Sequence, residues 1–121
     1  MPPPPLIAIV DDDAGVRGSV DSLLRSVGLT GIGFPDAQDL LRRGVEDHLA
    51  CIVTDLHMPG MSGIELQAEM ARRGWRHPLI VMTAYPTDAE RAQALAGGAR
   101  AFLTKPIDPD ALLVAIEQAI R

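Results

Sequence analysis

The sequence predicts an α/β domain in which five strands alternate with five helices around a parallel sheet. Three observations lead to this prediction: short apolar runs recur along the chain, helix-period segments separate them, and capping residues mark where those segments begin. Continuous apolar runs between polar turns are typical of strands buried on both faces. Regular alternation of such strands with helices favours a parallel sheet covered by helices on both sides.

The five apolar runs are the predicted strands. They occupy residues 6–10, 30–34, 50–54, 79–82 and 101–104. The third run contains Cys51, the one cysteine of the chain, which excludes an internal disulfide. We expect this thiol to be a small buried hydrophobic group, and we expect the protein to be cytoplasmic.

Two of the segments between strands show a single apolar face at helical spacing. This face comprises Val16, Val20, Leu23 and Val27 in the first helix, and Leu112, Ile116 and Ile120 in the last. The fourth helix, over residues 88–96, contains one large apolar residue, Leu95. We therefore expect this helix to be attached only lightly to the core.

Residues that favour helix ends flank the predicted helices. Two pairs match a capping box and three aspartates are expected N-caps, while glycines close the helices. The boxes are Ser62 with Glu65 and Thr87 with Glu90, the aspartates are Asp13, Asp36 and Asp108, and the glycines are Gly28, Gly74 and Gly97-Gly98.

Composition bounds the class of protein. A chain of 121 residues fits one domain and can bury enough surface to fold unaided. The net charge of −5 and the lack of a basic cluster argue against direct binding of nucleic acid. No apolar run approaches the ~18 residues of a membrane span, so we expect no membrane insertion.

The chain begins with a proline-rich stretch, residues 1–5, which we interpret as a lead-in to a domain over residues 6–121. The start lacks the basic residues and cleavage site of a signal peptide. The last helix reaches Arg121 without a cap signal, which leaves two interpretations open. The chain is either a fragment of a longer protein or a protein made of this domain alone.

Polar residues that suit metal-assisted phosphoryl chemistry follow the predicted strands. Asp11 and Asp12 follow the first strand, Asp55 the third, Thr83 the fourth and Lys105 the fifth. Ligands of open parallel sheets bind beyond the carboxyl ends of the strands, so these side chains are expected to meet there. Carboxylates are the ligands that Mg²⁺ prefers, and a carboxylate can also accept a phosphoryl group as a nucleophile.

Each of these residues also has a purely structural interpretation. Asp13 is better explained as an N-cap than as a ligand. Taken singly, Asp11, Asp12 and Asp55 could be turn residues, and Thr83 could simply end a strand. Their common position at strand ends favours a site. Lys105 adds a weak hint, because it is the one lysine among eleven basic residues.

Four blocks of the sequence resemble a known family. "VDDD", "VTDLHMPGMSGIEL", "VMTAY" and "GARAFLTKP" are similar to the receiver domain of two-component response regulators, the CheY-like family, and especially to receivers of the FixJ type. The resemblance covers the chain from about residue 6 to its end. It implies a flavodoxin-like, doubly wound five-stranded parallel sheet of (βα)5 type with strand order 2-1-3-4-5.

The resemblance implies a role for each site residue. Asp55 would be the phosphoacceptor, Asp12 would bind Mg²⁺ directly, and Asp11 would bind it partly through water. His57 would offer its backbone carbonyl to the metal. A transition-metal site using the His57 side chain is disfavoured, because His48 and His77 are not at ligand spacing.

The resemblance also implies a switch. Thr83 would bond a phosphoryl oxygen, Lys105 would pair with the phosphoryl group, and Phe102 would be an aromatic residue that changes rotamer. An ordinary core aromatic is the alternative interpretation of Phe102. The Lys105-Pro106 bond is expected to be cis, and Tyr85 and His57 are expected to alter the lifetime of the phosphate.

The implied partners are a sensor histidine kinase or phosphotransfer protein, and an output domain or protein that binds the face formed by the fourth helix, fifth strand and fifth helix. Transcription regulation and a homodimer formed on phosphorylation belong to the same expectation. We expect no turnover of external substrates. Two alternatives remain: a Mg²⁺-dependent phosphatase working through an aspartyl phosphate, and a receiver-shaped interaction module that is never phosphorylated. A dinucleotide-binding domain is disfavoured, because no glycine-rich turn follows the first strand.

Overall fold

A computed structural model describes residues 4–43 and 48–121, and these residues form five parallel strands in the order β2-β1-β3-β4-β5. The predicted α/β class and strand order are confirmed. The elements are β1 (Leu6–Val10), α1 (Ala14–Ser26), β2 (Thr30–Phe34), α2 (Ala37–Arg43), β3 (Leu49–Asp55), α3 (Gly63–Arg72), β4 (Leu79–Thr83), α4 (Asp88–Ala96), β5 (Ala101–Thr104) and α5 (Pro109–Ala119). Residues 1–3 of the proline-rich lead-in lie outside the described residues.

The sheet divides the core into two layers, because successive strand residues point to opposite faces. On one face Ile9 and Val53 pack against α1 and α5, through residues such as Leu24 and Leu112. On the other face the sheet packs against α2, α3 and α4. The near-continuous burial of β1, β3 and β4 explains why their sequences are apolar runs rather than alternating ones.

β3 is longer than the sequence predicts, because it begins at Leu49 and ends at Asp55. β4 ends at Thr83, in agreement with the predicted position of Thr83 at a strand end. The predicted site residues Asp55 and Thr83 are therefore the last residues of their strands, where the hydrogen bonds of the sheet still hold the backbone. The pairing of Asp55 with Met82 and of Thr83 with Thr104 continues the sheet to this edge.

The apolar face predicted for α1 is wrong at one position. Val27 is 51% exposed and is the C-cap of the helix, whereas Leu24 is fully buried. The helix ends at Ser26, one residue before the last position of the apolar repeat, and the predicted closing glycine, Gly28, reverses the chain with a φ of 82°.

Most of the predicted caps are confirmed, including the Ser62–Glu65 capping box and the N-caps Asp13 and Asp108. The second box is incomplete. Thr87 accepts a hydrogen bond from the Glu90 N–H, but the Glu90 carboxylate accepts from the Thr87 hydroxyl and approaches His57 instead of bonding the cap backbone. The predicted cis bond at Lys105-Pro106 is present.

α4 is held to the rest of the domain by few apolar contacts. Within α4, all of which the structure describes, Ala94 is the one buried residue. Leu95, the large apolar residue of this helix, is 44% exposed. A polar brace supplements the packing, because the Gln67 side-chain amide of α3 donates to the Ala94 carbonyl at 2.8 Å. This confirms that α4 is lightly attached.

Cys51 is fully buried in β3, as predicted, and burial raises the pKa of its thiol to about 12. Among the described residues, no helix has the length and apolar character needed to cross a membrane.

Gly63, the first residue of α3, packs directly against the strand that carries Asp55. A Cβ at this position would lie 2.7 Å from the Asp55 carbonyl oxygen and 3.1 Å from the Leu56 Cα, both of them backbone atoms. We predict that Gly63→Ala lowers the free energy of unfolding by about 1–3 kcal/mol through overpacking, measured by urea denaturation.

Gly18→Ala is the matched control for this substitution. Gly18 lies within α1, and a Cβ there would meet no atom within 4 Å. The same change should therefore stabilise the protein by about 0.5–1 kcal/mol, since alanine is the better helix former. Equal changes in the free energy of unfolding for the two substitutions would show that the close approach at Gly63 does not limit the size of the side chain there.

Candidate functional site

The predicted site residues lie together at the carboxyl edge of the sheet. Asp11 directly follows β1, Asp55 ends β3, Thr83 ends β4 and Lys105 directly follows β5. β1 has β2 on one side and β3 on the other, so consecutive connections leave it in opposite directions. This arrangement opens a crevice at the strand ends, which is the usual ligand position in such sheets.

Three carboxylates form an acidic cluster in this crevice. Asp11, Asp12 and Asp55 each contribute one oxygen, and these oxygens lie within 4.8 Å of one another. Asp11 is fully buried and Asp55 is 6% exposed, whereas Asp12 is exposed. Three converging hard oxygen donors with one side open to water suit Mg²⁺, which keeps several of its own waters. The residues present therefore fit this ion.

Lys105 bridges two members of the cluster. Its Nζ lies 2.7 Å from Asp11 Oδ2 and 3.3 Å from Asp55 Oδ1. β4 lies between β3 and β5, so the lysine stem reaches across the end of β4 to arrive at these carboxylates. A flexible four-carbon stem that carries a compact charge is suited to this reach.

The charges in the crevice shift two pKa values. Burial, followed by repulsion from Asp11, raises the pKa of Asp55 above its usual 3.8, and attraction to Lys105 offsets this only in part. Burial lowers the pKa of Lys105, but its hydrogen bonds and Coulomb attraction to Asp11 and Asp55 outweigh that effect, so the pKa is raised above 10.5. Lys105 is therefore charged at neutral pH. The cluster has an excess of negative charge that another cation would relieve.

Asp11 is held on every polar atom. Its N–H donates to the Phe34 carbonyl at 3.1 Å, and its Oδ1 accepts from the Asp13 N–H at 2.9 Å. Its carbonyl accepts from Arg17 Nη1 at 2.6 Å, and its Oδ2 contacts Lys105. Arg17 was not among the residues predicted from the sequence. A cation close to the start of a helix, where the dipole disfavours it, was the available signal that this residue has another partner.

Asp13 serves as the N-cap of α1, as predicted, and its carboxylate accepts from the Gly15 and Val16 N–H groups.

The two predicted switch residues are buried near the crevice. The Thr83 hydroxyl accepts a hydrogen bond from the Tyr85 N–H at 3.1 Å. The Phe102 ring is packed into the core below α4, and the Arg91 guanidinium of α4 lies 5.0 Å from its centroid. The contact between Arg91 and Phe102 is a second one that could not be predicted, since the spacing of residues along the sequence does not pair them.

The side chains of His57 and Tyr85 lie at the rim. His57 Nε2 is 3.6 Å from a Glu90 carboxylate oxygen, which links the loop after Asp55 to the first turn of α4. Tyr85 is 77% exposed, so most of its ring is in contact with water.

The raised pKa of Asp55 predicts that Asp55→Asn stabilises the metal-free protein at pH 7. An ionised carboxylate whose pKa is higher in the folded than in the unfolded state destabilises the fold above that folded-state pKa. Below pH 3.8 the carboxyl is protonated in both states, so the gain should vanish there. Lys105 keeps its contact with Asp11 in this variant.

Thermal unfolding at pH 7 and pH 3 in the presence of a chelator measures this effect. Asp110→Asn is the control, because Asp110 is an exposed carboxylate in the first turn of α5. It should give no gain at either pH. A Tm for Asp55→Asn that is equal to or below the native value at pH 7 would contradict the electrostatic account.

Comparison with known protein families and relatives gives a single answer. The family model of the response regulator receiver domain matches residues 7–117. Nodulation protein W of Bradyrhizobium diazoefficiens is 36% identical over 114 residues, which cover 94% of this chain and 50% of that protein. The transcriptional regulatory protein FixJ of Azorhizobium caulinodans is 38% identical over 120 residues, covering 99% of this chain and 57% of that protein. The chain thus spans about half the length of these curated relatives.

Solved structures agree. The response regulator StyR superposes with a TM-score of 0.90 at 38% identity, over 97% of this chain and 59% of that one. The structure of FixJ-N superposes with a TM-score of 0.87 at 31% identity, over 96% of this chain and 93% of that one. The family model, the sequence identities and the superposed fold agree, and the chain belongs to the response regulator receiver domain family of two-component systems.

Proposed function

We propose that this domain, over residues 6–121, is a phospho-accepting signalling switch whose acceptor is Asp55. One observation carries the proposal. A nearly buried carboxylate ends β3 beside two further carboxylates, and the ammonium of Lys105 lies 3.3 Å from it. Asp55 lies at the open edge of the sheet, where it can attack an incoming phosphoryl group, and Lys105 provides a cation for the phosphorylated product. Acceptance is stoichiometric, which separates this role from an enzyme acting on external substrates.

The residues that would hold Mg²⁺ are Asp12 and Asp55 directly, Asp11 partly through water, and the backbone carbonyl of His57. When bound, the ion supplies positive charge that keeps Asp55 ionised and neutralises the oxygens of the incoming phosphoryl group. The excess of carboxylates over cations in the crevice supports this assignment.

The proposed donor is a phosphohistidine of a sensor histidine kinase or phosphotransfer protein. An Asp55 carboxylate oxygen forms a bond to phosphorus while the phosphorus–nitrogen bond of the donor breaks, and the electron pair of that bond returns to the imidazole nitrogen. Lys105 then pairs with a phosphoryl oxygen, and the Thr83 hydroxyl donates a hydrogen bond to another. Thr83 currently accepts from the Tyr85 N–H, so its hydrogen is available for donation.

Movement of Thr83 would displace the loop that leads to α4. This helix has one buried side chain, and Phe102 lies beneath it in the adjacent strand. We propose that phosphorylation shifts the balance between two arrangements of α4, β5 and α5, with Phe102 changing rotamer, and that the altered face binds the output.

The output is proposed by analogy with the relatives. FixJ and similar relatives are named as transcriptional regulatory proteins, and this chain spans about half of their length. We therefore propose a cytoplasmic switch that controls transcription through an attached output domain or a partner protein. A homodimer formed through the α4-β5-α5 face is the accompanying hypothesis.

Intact-mass spectrometry after incubation with acetyl phosphate and Mg²⁺ tests the acceptor. The native protein should gain the mass of one phosphoryl group, and Asp55→Asn should gain none. The control Asp110→Asn, which changes an exposed aspartate far along the chain, should gain the group as the native protein does. Equal modification of Asp55→Asn, or no modification of the native protein, would refute the assignment, and steady release of phosphate from added phosphoesters would favour the phosphatase alternative.

Hydrogen exchange with and without phosphorylation tests the switch. Amide exchange should change most in residues 83–105, because α4 and β5 respond to Thr83 and Lys105. The segment around β2 should serve as the internal control with unchanged exchange. If exchange in residues 83–105 is the same in both states, the proposed movement of α4 does not occur.

A further inference from the structure

We propose that Arg17 is a positioning residue for the metal site: it fixes the peptide group between Asp11 and Asp12, and through that group it sets the direction of the Asp12 carboxylate. The inference rests on the proposed function, since it concerns how this chain prepares its Mg²⁺ ligands. Arg17 lies on α1 and is not among the residues proposed to bind Mg²⁺ or the phosphoryl group.

The contact that carries the inference joins a charged donor to the backbone. Arg17 Nη1 lies 2.6 Å from the Asp11 carbonyl oxygen, a short distance for such a bond. Hydrogen bonds from a guanidinium are shorter and stronger than those between neutral groups. This carbonyl and the Asp12 N–H belong to one planar peptide unit, so holding the oxygen also holds the plane from which the Asp12 side chain departs.

Asp12 needs such support more than its neighbours do. Asp11 is buried and its carboxylate is bound on both oxygens, and Asp55 is held by the end of a central strand. Asp12 is exposed, and its carboxylate has no hydrogen-bond donor or cation among the residues that the structure describes. Its direction therefore depends on the backbone. Arg17 holds the Asp11 carbonyl in the peptide group that leads to Asp12, and the Phe34 carbonyl accepts from the Asp11 N–H in the preceding peptide group.

The fold makes room for the arginine stem. A Cβ on Gly33 of β2 would lie 3.3 Å from Arg17 Cδ, so the bare glycine provides the surface along which the stem passes. This explains a glycine in the middle of a strand, where it is otherwise unfavourable. The stem leads the guanidinium from α1 across β2 to the loop after β1.

The sign of the effect on Mg²⁺ affinity separates positioning from simple electrostatics. A guanidinium close to the site repels a second cation, so a purely Coulombic role predicts tighter Mg²⁺ binding when the charge is removed. A positioning role predicts weaker binding, because partners that orient ligands are typically worth 10–100-fold in metal affinity.

Titration of the metal-free protein with MgCl₂, followed by proton–nitrogen NMR, is the test. Arg17→Met keeps the stem on Gly33 and removes the guanidinium, and we expect a Kd about 10-fold higher. Arg17→Lys restores a charged donor with a shorter reach, so its Kd should lie between those of the native protein and Arg17→Met. The control is Arg25→Met on the same helix, since Arg25 is paired with Asp21 and is exposed, and its Kd should equal the native one.

The metal-free spectra supply a second readout. The Asp12 amide resonance should shift in Arg17→Met and remain in place in Arg25→Met. A Kd of Arg17→Met that is unchanged or lower would overturn the assignment while leaving the proposed function intact. If the native protein binds no Mg²⁺ at millimolar concentrations, the proposed function and this inference both fail.

Discussion

The bridge from Lys105 to Asp11 and Asp55 is the interaction on which the site depends. Two carboxylates that are almost removed from water repel each other, and this arrangement is tolerable only with a cation between them. The strand order supplies that cation, because β5 lies beyond β4 and ends at the same edge as β1 and β3. One ammonium facing three carboxylates leaves the crevice short of positive charge, which is the physical basis of the proposed binding of a divalent ion.

The second constraint concerns α4. Packing alone holds this helix weakly, since Ala94 is its one buried residue, and its other links to the domain are polar. Gln67 binds its last turn, Glu90 approaches His57, and Arg91 covers Phe102. Polar links of this kind can be exchanged at small net cost, whereas apolar packing cannot. The Glu90–His57 contact joins the helix to the loop that follows Asp55, the proposed acceptor, and so connects that residue to α4 by a short path.

Much of the fold was accessible from the sequence because its signals are local. Apolar runs define strands that are buried on both faces, and the predicted caps Asp13, Ser62 and Asp108 all serve as caps. Gly28 closes α1 as predicted, but Val27 was wrongly assigned to the buried face, since an apolar repeat does not show that the last of its residues lies beyond the helix. The strand order itself came from the family resemblance, not from periodicity.

The site was predictable only in part. Residues at strand ends converge by a general rule of parallel sheets, and this rule predicted that Asp11, Asp55 and Lys105 lie close together. Contacts made through long side chains across elements follow no spacing rule. Arg17 reaches a carbonyl in the preceding loop and Arg91 reaches a ring in the following strand, and neither partner can be read from the residue type alone.

The most direct test of the central claim is the pKa of Asp55, measured from the titration of its carboxyl carbon by NMR with and without Mg²⁺. In metal-free solution the pKa should lie above the usual 3.8, and it should fall when Mg²⁺ is added, because the ion favours the charged carboxylate. An Asp55 that titrates at its usual value and does not respond to Mg²⁺ would contradict the account.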